Sequence, residues 1–431
     1  MKLAIIGGGG FRVPLVYQAL AHSADSPIDQ VWLYDTSAAR LGVISDVLRQ
    51  LGGPLPVHFT TVLDEALAGS DFVFSAMRVG GLAGRVADER AAIDLGLVGQ
   101  ETTGPGGIAY ALRTIPVALQ LARRLLAVAP DAFVINFTNP AGLITEAMQA
   151  LLGDHVIGIC DTPSGLGTRL AALCEVPADQ VRLDYAGLNH LGWLRGAYYQ
   201  DRDLVREVLA SDQALAQLEE TQLMGARWLR TLGMIPNEYL YYYYCNREAR
   251  RSGQQTRGEY LRQQQEAFYR SATADPARAL DAWQRTLSER EASYMAEARP
   301  AGTDRPAGGG GYEYVALALI SAIAADRAST MILNVRNGDA LPGLPPAAVV
   351  EVPCHVDGKG ARPLTVTAPG GAELGLMQQV KAVEQLTIRA ATEHDRRLAY
   401  EALALHPLVD SVTVADELLT TYCRNEPQLF S

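Results

Sequence analysis

The sequence predicts an α/β protein in which a doubly wound parallel sheet is followed by a mixed α+β region. Its N-terminal segment, KLAIIGGGGFRVPLVYQAL, has the pattern of a strand, a glycine turn and a helix. Apolar runs then alternate with amphipathic stretches until about residue 170, as expected for parallel strands joined by helical crossovers. Beyond that point long helical patterns predominate, so we expect two domains, 1–167 and 168–431.

Five short apolar runs are the predicted strands of the first domain. Each run is continuous and rich in Val, Ile or Phe, which is typical of strands buried on both faces of a parallel sheet. They are KLAIIG (2–7), VWLYD (31–35), DFVFSAM (71–77), AFVINFT (132–138) and HVIGIC (155–160). The stretches RLGVISDVLRQL (40–51) and IPVALQLARRLLAVA (115–129) are predicted helices between them.

The second domain is expected to contain longer helices and a few strands. The predicted helical segments are ASDQALAQLEETQLMGARWLRTLG (210–233), EYLRQQQEAFYRS (259–271) and YVALALISAIAADR (314–327). AVVEVPCHV (348–356) is a predicted strand. The glycine-rich stretch GTDRPAGGGG (302–311) is expected to be a loop within the domain, because a helical pattern follows it at once.

The net charge limits the classes of possible partner, and the cysteine content indicates the cellular compartment. The net charge of −11 argues against nucleic acid or an anionic membrane as the main partner, since both require a basic surface. No apolar run reaches the roughly 20 residues that a membrane span needs. The five cysteines are scattered and without regular spacing, which favours reduced thiols in the cytoplasm over a disulfide framework.

The N-terminal glycine turn indicates a dinucleotide site of the Rossmann type. Gly7 and Gly9 match the first two glycines of the dinucleotide fingerprint, but Arg12 stands at the third position. Asp35, at the end of the next strand, could accept hydrogen bonds from ribose hydroxyls and would favour NAD over NADP. The alternative is a plain strand-turn-helix corner in which Asp35 caps the next helix. The candidate cofactor-binding residues are Gly7, Gly8, Gly9, Gly10, Phe11, Arg12 and Asp35.

Polar clusters follow several of the predicted strands and are expected to converge on one rim of the sheet. In open parallel sheets, ligands bind beyond the carboxyl ends of the strands. The clusters are MRVGGLAGR with Arg78 and Arg85, VGQETTGPGG with Glu101, NFTNPAG with Asn136, Thr138 and Asn139, and ICDTP with Cys160 and Asp161. Four clusters on one rim are difficult to explain by turn chemistry alone, and we interpret the rim as an active site.

Two further stretches leave alternatives open on residue chemistry alone. Cys160, with His190 in GLNHLGW, could bind a divalent metal, although their spacing matches no known zinc motif and a buried small residue fits Cys160 as well. PNEYLYYYYC (236–245) has five tyrosines in six residues, which could pack at a domain interface or supply a phenol that acts as a base. Arg257, in TRGEY, is either a solvated charge or an anion clamp.

Taken in order, these motifs resemble glycoside hydrolase family 4, an NAD- and metal-dependent family of glycosidases. The similarity covers residues 1 to about 410, with GQETTGPGG and NFTNP as its most specific parts. GLNHLGW and the rest of the pattern are most similar to the 6-phospho-β-glucosidases of the family. The resemblance implies a second domain of the lactate/malate dehydrogenase-like type and a homodimer or homotetramer.

The resemblance also implies roles for individual residues. Cys160 and His190 match the metal ligands, usually of Mn(II), and Tyr239 matches the base. Asp161 follows the cysteine at the position where some members hold the acid for the leaving group, and Glu101 matches a residue that raises the basicity of a partner. The positions that match substrate contacts are Arg85, Asn139 and Arg257.

The implied reaction is the hydrolysis of 6-phospho-β-glucosides through transient oxidation at carbon 3, removal of the carbon 2 proton and elimination of the aglycone. Other members of the family act on 6-phospho-α-glucosides, α-galactosides or unphosphorylated sugars, and these substrates remain alternatives. From other classes, an NAD-dependent 2-hydroxy acid dehydrogenase would share the fold, and a nucleotide-sensing protein would use the glycine turn without turnover.

Overall fold

The computed structural model describes residues 1–23, 25–251, 256–293 and 311–430, which form one mixed sheet flanked by helices. The strands, numbered along the chain, are β1 Lys2–Ile6, β2 Gln30–Tyr34, β3 Val57–Thr60, β4 Phe72–Ser75, β5 Phe133–Asn136, β6 Val156–Gly158, β7 Arg182–Leu188, β8 Leu191–Tyr199, β9 Arg202–Asp203, β10 Ile235–Pro236, β11 Ser329–Arg336, β12 Val349–Asp357 and β13 Gly360–Pro363.

Helices cover both faces of this sheet. Those of the first half are α1 Val13–His22, α2 Ala38–Leu51, α3 Leu63–Leu67, α4 Gly81–Asp94, α5 Pro105–Val128, α6 Ala141–Leu152 and α7 Thr162–Leu173. Those of the second half are α8 Leu204–Ala210, α9 Asp212–Ala216, α10 Glu219–Met224, α11 Ala226–Leu232, α12 Tyr241–Tyr244, α13 Asn246–Ala249, α14 Arg257–Ala274, α15 Ala279–Ala292, α16 Tyr312–Ala324, α17 Gly371–Glu393, α18 Arg396–Leu405 and α19 Val412–Asn425. Short 3-10 helices span Gly153–His155, Ala178–Gln180, Glu238–Leu240 and Pro276–Arg278.

The first six strands form the parallel half of the sheet in the order β3-β2-β1-β4-β5-β6. The five strands predicted from apolar runs are confirmed as β1, β2, β4, β5 and β6. Sequence reasoning missed β3, because this edge strand exposes most of its side chains and has no continuous apolar run. It was also wrong to expect β2 to be buried on both faces, since buried and half-buried residues alternate along it.

The second half of the chain extends the sheet in antiparallel fashion. β11 joins β6 where Asn334 lies opposite Gly158, and β12 joins β7 where Glu351 lies opposite Gly187. β8 and β10 complete this side. One sheet therefore runs across residue 167, and the division into domains at that residue stays a prediction.

The helical segment expected over 210–233 is not one helix, and this prediction was wrong. Ser211 ends α8 and caps α9, its side chain accepting from the backbone N–H of Ala214. Gly225, with a φ of +84°, then separates α10 from α11. EYLRQQQEAFYRS is confirmed within α14, which begins with a capping box formed by Thr256 and Glu259. The loop predicted over 302–311 lies outside the described residues, apart from Gly311 before α16.

Helices of the second half cover the N-terminal glycine turn. Phe268 of α14 and Trp283 of α15 pack in a buried cluster with Phe11 and with Val43 of α2. The indole N–H of Trp283 donates to the carbonyl of Phe11 at 2.8 Å. The packing places the second half of the chain directly over the carboxyl ends of β1 and β2. Among the described helices, none is both long and apolar enough to cross a bilayer.

Candidate active site

A large cavity lies at the carboxyl ends of the parallel strands. Its volume is about 1600 Å³, above the range of about 300–1,000 Å³ typical of single-ligand sites. One part of its wall is the glycine turn with Asp35, and another is formed by Cys160, His190 and Tyr239. The cavity has the size and the composition to hold a dinucleotide together with a second small molecule.

The glycine turn is held tightly against the sheet. Gly7 has a φ of +91°, and the N–H groups of Gly7 and Gly8 both donate to the carbonyl of Tyr34, at 2.9 and 2.7 Å. Helix α1 begins immediately after the turn, so its N-terminus faces the cavity. Tyr269 donates to the carbonyl of Gly9 at 2.7 Å. The tight turn and the helix N-terminus beside it therefore fit the pyrophosphate of a dinucleotide, although Arg12 replaces the third glycine of the fingerprint.

Asp35 binds the glycine turn and does not cap helix α2, which contradicts the alternative that the sequence left open. Its Oδ2 accepts from the N–H of Gly9 at 3.1 Å and its Oδ1 accepts from the N–H of Ser37 at 2.9 Å. The cap of helix α2 is Ser37, whose side chain accepts from Arg40 N–H. Asp35 thus stabilises the turn and lines the cavity where the carboxylate of a dinucleotide site is expected.

An ionised carboxylate lies between two arginines on the cavity wall. Glu101 binds Arg78 at 2.6 Å and Arg85 at 2.7 Å, and Arg85 also donates to Glu89 at 2.7 Å. Burial alone would raise the pKa of Glu101, but the charges of Arg78 and Arg85 outweigh it and lower the pKa to about 2. Glu89 in turn accepts from the N–H of Gly258 at 2.8 Å, which ties α4 to the start of α14.

Cys160 and Asp161 stand between β6 and α7 and line the cavity. The side chain of Cys160 is buried. Burial raises the pKa of the Cys160 thiol well above its ordinary value, and the charges of Glu351 and Asp161 raise it further. A divalent cation reverses this preference, because coordination stabilises the thiolate.

Thr102 is the hydrogen-bond partner of the His190 ring at Nδ1. Gln100 Oε1 accepts from the hydroxyl of Thr102 at 3.1 Å and from the backbone N–H groups of Thr102 and Thr103. Thr102 Oγ1 also lies 2.9 Å from Nδ1 of His190. With its hydroxyl proton on Gln100, Thr102 accepts from Nδ1–H, which is the tautomer that leaves the Nε2 lone pair for a metal. Burial lowers the pKa of His190 to about 4, although the charge of Glu101 opposes the fall. The ring is therefore neutral near pH 7.

Tyr239 stacks on this imidazole. The two rings are nearly parallel, with centroids 3.7 Å apart. Tyr239 lies in the 3-10 helix Glu238–Leu240, where Asn237 caps the turn by accepting from the N–H of Tyr239 at 2.9 Å. Of the other tyrosines, Tyr244 accepts from the indole of Trp193 at 3.0 Å in the interior. The segment PNEYLYYYYC (236–245) thus contributes both a phenol at the cavity wall and aromatic packing behind it.

The donors present fit a metal bound by two protein ligands. A sulfur and a neutral imidazole nitrogen suit a borderline divalent ion such as Mn, Fe, Co or Zn. In the part of the chain that the structure describes, no group of three or more His, Cys, Asp or Glu side chains could hold a metal ion. Cys160 and His190 alone would leave coordination positions open to substrate oxygens or water.

The remaining predicted residues divide into those that face the cavity and those that build its rim. Asn139 and Arg257 line the cavity. Arg257 also donates to the carbonyls of Ser293 and Arg290, at 3.0 and 3.1 Å. Asn136 and Thr138 are buried and bind their own turn: Asn136 donates to the carbonyl of Thr138, and the Thr138 hydroxyl accepts from Met77 N–H.

Sequence reasoning missed several polar residues of the site. Gln100 and Thr102 flank Glu101, yet nothing in the sequence indicated that they orient His190. Glu351 carried a signal, because it is the charged residue in the otherwise apolar strand AVVEVPCHV. Asn189 and Asn237 lie close in sequence to His190 and Tyr239, which were predicted site residues. Their side-chain partners, Glu351 and Tyr185, lie far away in the sequence and gave no local signal.

The chain matches two protein-family models and several curated relatives. Residues 2–176 match the model of the Family 4 glycosyl hydrolases, and residues 185–409 match that of the Family 4 glycosyl hydrolase C-terminal domain. A probable 6-phospho-beta-glucosidase of Bacillus subtilis is 31% identical over 100% of this chain and 98% of its own. A maltose-6'-phosphate glucosidase of the same organism is 30% identical over 97% of this chain and 94% of its own.

Several solved structures have the same fold as this chain. The 6-phospho-beta glucosidase of Thermotoga maritima, solved with NAD and glucose-6-phosphate, has a TM-score of 0.88 at 27% identity, with 100% of both chains covered. A second structure of that enzyme contains manganese, NAD+ and glucose-6-phosphate, with a TM-score of 0.86 at 26% identity, 100% of this chain and 99% of that one. Malate dehydrogenase of Plasmodium falciparum, at 14% identity and a TM-score of 0.53 over 91% of this chain and 99% of its own, supports the fold alone.

The two family models together cover most of the chain, and the first B. subtilis relative matches over 100% of this chain and 98% of its own. The dehydrogenase-like architecture expected from the sequence is confirmed. The chain therefore belongs to family 4 of the glycosyl hydrolases.

Proposed function

We propose that this glycosidase hydrolyses 6-phosphoglucosides with the help of bound NAD and a divalent metal, with 6-phospho-β-glucosides as its preferred substrates. The relatives named 6-phospho-beta-glucosidase support the substrate class. Support for the cofactors comes from the T. maritima structures with NAD and manganese. Hydrolysis by this route needs no pair of carboxylates spaced as in other glycosidases.

The observation that carries the proposal is the shared cavity. Its wall includes the dinucleotide turn with Asp35, the Cys160 and His190 donor pair, and the phenol of Tyr239 stacked on the His190 ring. A metal-free 2-hydroxy acid dehydrogenase needs the turn and a base but has no use for a thiolate donor. These groups together match a reaction that combines a transient oxidation with proton removal.

When bound, NAD reversibly accepts hydride from carbon 3 of the sugar and the metal supplies Lewis-acid stabilisation of negative charge on the adjacent sugar oxygens. Cys160 Sγ and His190 Nε2 would hold the metal. The Tyr239 phenolate oxygen would take the carbon 2 proton, which a carbon 3 ketone makes acidic. The Asp161 carboxyl would give a proton to the glycosidic oxygen as the aglycone leaves.

The basic side chains of the cavity suit a phosphorylated sugar. Arg85, Asn139 and Arg257 would contact the substrate, and all three line the cavity. Glu101 fixes the guanidinium of Arg85, so that charge is already oriented before the substrate arrives. Ionised Glu101 also acts on His190, and we infer that its charge favours proton removal by the phenol stacked on that ring.

An α-linked substrate is the second candidate. The maltose-6'-phosphate glucosidase that is 30% identical to this chain favours it. Elimination after oxidation does not require one anomeric configuration, because the acidic carbon 2 proton is the same in both anomers. The cytoplasmic location and the homodimeric or homotetrameric state stay predictions.

The test is a panel of p-nitrophenyl glucosides in both anomers, with and without 6-phosphate. NAD and Mn(II) are added or withheld under reducing conditions. We expect hydrolysis of the 6-phosphorylated β-glucoside only with both additives, without net formation of NADH, and with deuterium at carbon 2 when the reaction runs in D₂O. Net NADH formation would instead identify a dehydrogenase. Hydrolysis that needs neither additive and leaves carbon 2 unlabelled would reject the proposal.

A further inference from the structure

A row of residues crosses the sheet behind the donor pair. Gly158 of β6 lies opposite Asn334 of β11, Asn334 opposite Glu351 of β12, and Glu351 opposite Gly187 of β7. Asn334 and Glu351 are almost completely buried. The row therefore places a carboxylate inside the sheet, between the strand that leads to Cys160 and the strand that leads to His190.

Three side chains donate to this carboxylate. Glu351 Oε1 accepts from Nδ2 of Asn334 at 2.8 Å and of Asn189 at 3.2 Å. Its Oε2 accepts from the hydroxyl of Tyr185 at 3.2 Å. Tyr185 is fully buried, and its hydroxyl occupies space next to Gly192, where an added Cβ would lie 2.3 Å from the oxygen.

The network extends to the two turns that carry the imidazole and the phenol. Asn189 directly precedes His190, which has a φ of +62° in the turn between β7 and β8. Asn237 Nδ2 donates to the Tyr185 hydroxyl at 3.3 Å, while Asn237 Oδ1 accepts from the N–H of Tyr239. The carboxylate is thus linked to the His190 turn through Asn189, and to the Tyr239 turn through Tyr185 and Asn237.

The donors to Glu351 are all neutral. Within the described ranges no ion pair joins it to a basic side chain. A buried carboxylate without a cationic partner costs free energy even when its oxygens accept hydrogen bonds, and burial accordingly raises the pKa of Glu351 to about 7. A cation held at Cys160 and His190 would be the nearby positive charge that offsets this cost.

We propose that Glu351 is a positioning residue, which holds the His190 turn and the Tyr239 turn in register with Cys160 and places negative charge behind the cation. The proposal rests on the metal site of the proposed function. A ligand whose supporting hydrogen bonds are lost binds its metal about 10–100-fold more weakly. The effect should therefore appear in Mn(II) affinity and not only in turnover.

The test measures Mn(II) binding to the NAD-bound protein by the loss of the free-ion EPR signal. Glu351→Gln removes the charge and leaves one acceptor oxygen for three donors, and we expect its Mn(II) Kd to rise about tenfold or more while its NAD affinity is unchanged. Glu146→Gln is the matched control. Glu146 is also a largely buried carboxylate touching β12, since it accepts from the N–H of Val349, but its cationic partner is Lys381.

A second pair of variants keeps the proposal open to refutation if Glu351→Gln does not fold. Asn189→Ala removes the link to the His190 turn and should weaken Mn(II) binding in the same direction. Tyr185→Phe removes the link to Asn237, and it should lower kcat while Mn(II) affinity stays within about twofold of the wild type, because the Asn189 link remains.

The outcomes separate this inference from the proposed function. If the wild-type protein binds no Mn(II), the metal-dependent function itself fails, and Glu351 loses its role with it. If the wild type binds Mn(II) and Glu351→Gln and Asn189→Ala bind it equally well, Glu351 is a structural residue and only the inference is overturned. Equal losses of Mn(II) and NAD affinity in Glu351→Gln would also overturn it, since they would indicate a general disturbance.

Discussion

Replacing Thr102 with valine tests how the fold prepares His190 for a metal. Valine keeps the shape of threonine but removes the hydroxyl that accepts from Nδ1–H of His190 at 2.9 Å and donates to Gln100 at 3.1 Å. The imidazole then has no fixed partner for Nδ1–H. Its proton is free to move to Nε2, which is the nitrogen that must carry the lone pair toward the cavity.

The expected magnitude follows from the burial of the ring. His190 is only 8% exposed, and a buried donor left without an acceptor costs about 1–3 kcal/mol. If the ring avoids that cost by moving its proton from Nδ1 to Nε2, the lone pair that would bind the metal is lost. At about 1.4 kcal/mol per tenfold change in affinity, the Mn(II) Kd should rise roughly tenfold to a hundredfold.

The assay is a Mn(II) titration of the NAD-bound protein under reducing conditions, followed by EPR of the free ion. Thr103→Val is the matched control. Thr103 is the adjacent residue, its N–H also donates to Gln100, and among the described residues its buried hydroxyl has no hydrogen-bond partner. If both variants bind Mn(II) as tightly as the wild type, the hydroxyl of Thr102 does not select the tautomer and the reasoning is refuted.

Three further predictions concern the site. The Arg78 and Arg85 charges lower the pKa of Glu101 to about 2, below its ordinary 4.5. The stability that ionised Glu101 contributes is therefore complete above pH 4.5 and is lost as the pH falls toward 2. In denaturant titrations, the difference in unfolding free energy between the wild type and Glu101→Gln should shrink on acidification, and a constant difference would contradict the ion pairs. Tyr239→Phe should lower kcat about 10²–10⁴-fold and abolish deuterium uptake at carbon 2 while Mn(II) and NAD still bind; undiminished uptake would assign the base elsewhere. Cys160→Ser should weaken Mn(II) binding and leave NAD affinity unchanged in calorimetric titrations, and unchanged Mn(II) affinity would remove Cys160 from the metal site.

The parallel half of the fold could be predicted because its signals are local. A strand buried on both faces needs a continuous apolar run, and β1, β4, β5 and β6 each have one. β3 has none, because an edge strand exposes its side chains, and it was missed. The segment 210–233 was predicted as helical throughout, but Ser211 and Gly225 divide it, since a cap or a positive φ outweighs a favourable average pattern.

The sequence by itself determined the dinucleotide turn, the acid at the end of β2 and the polar clusters at the strand ends, because each depends on residues that are neighbours in the chain. It could not decide whether Cys160 and His190 serve one site, since thirty residues of chain leave their separation open. Only the tertiary structure decided that they line one cavity, that Thr102 contacts the imidazole of His190, and that Glu351 connects the turns of His190 and Tyr239. The position of Glu351 arises from antiparallel pairing between β6, β11, β12 and β7. Hydrogen bonds between side chains that come from distant segments leave no local pattern in the sequence.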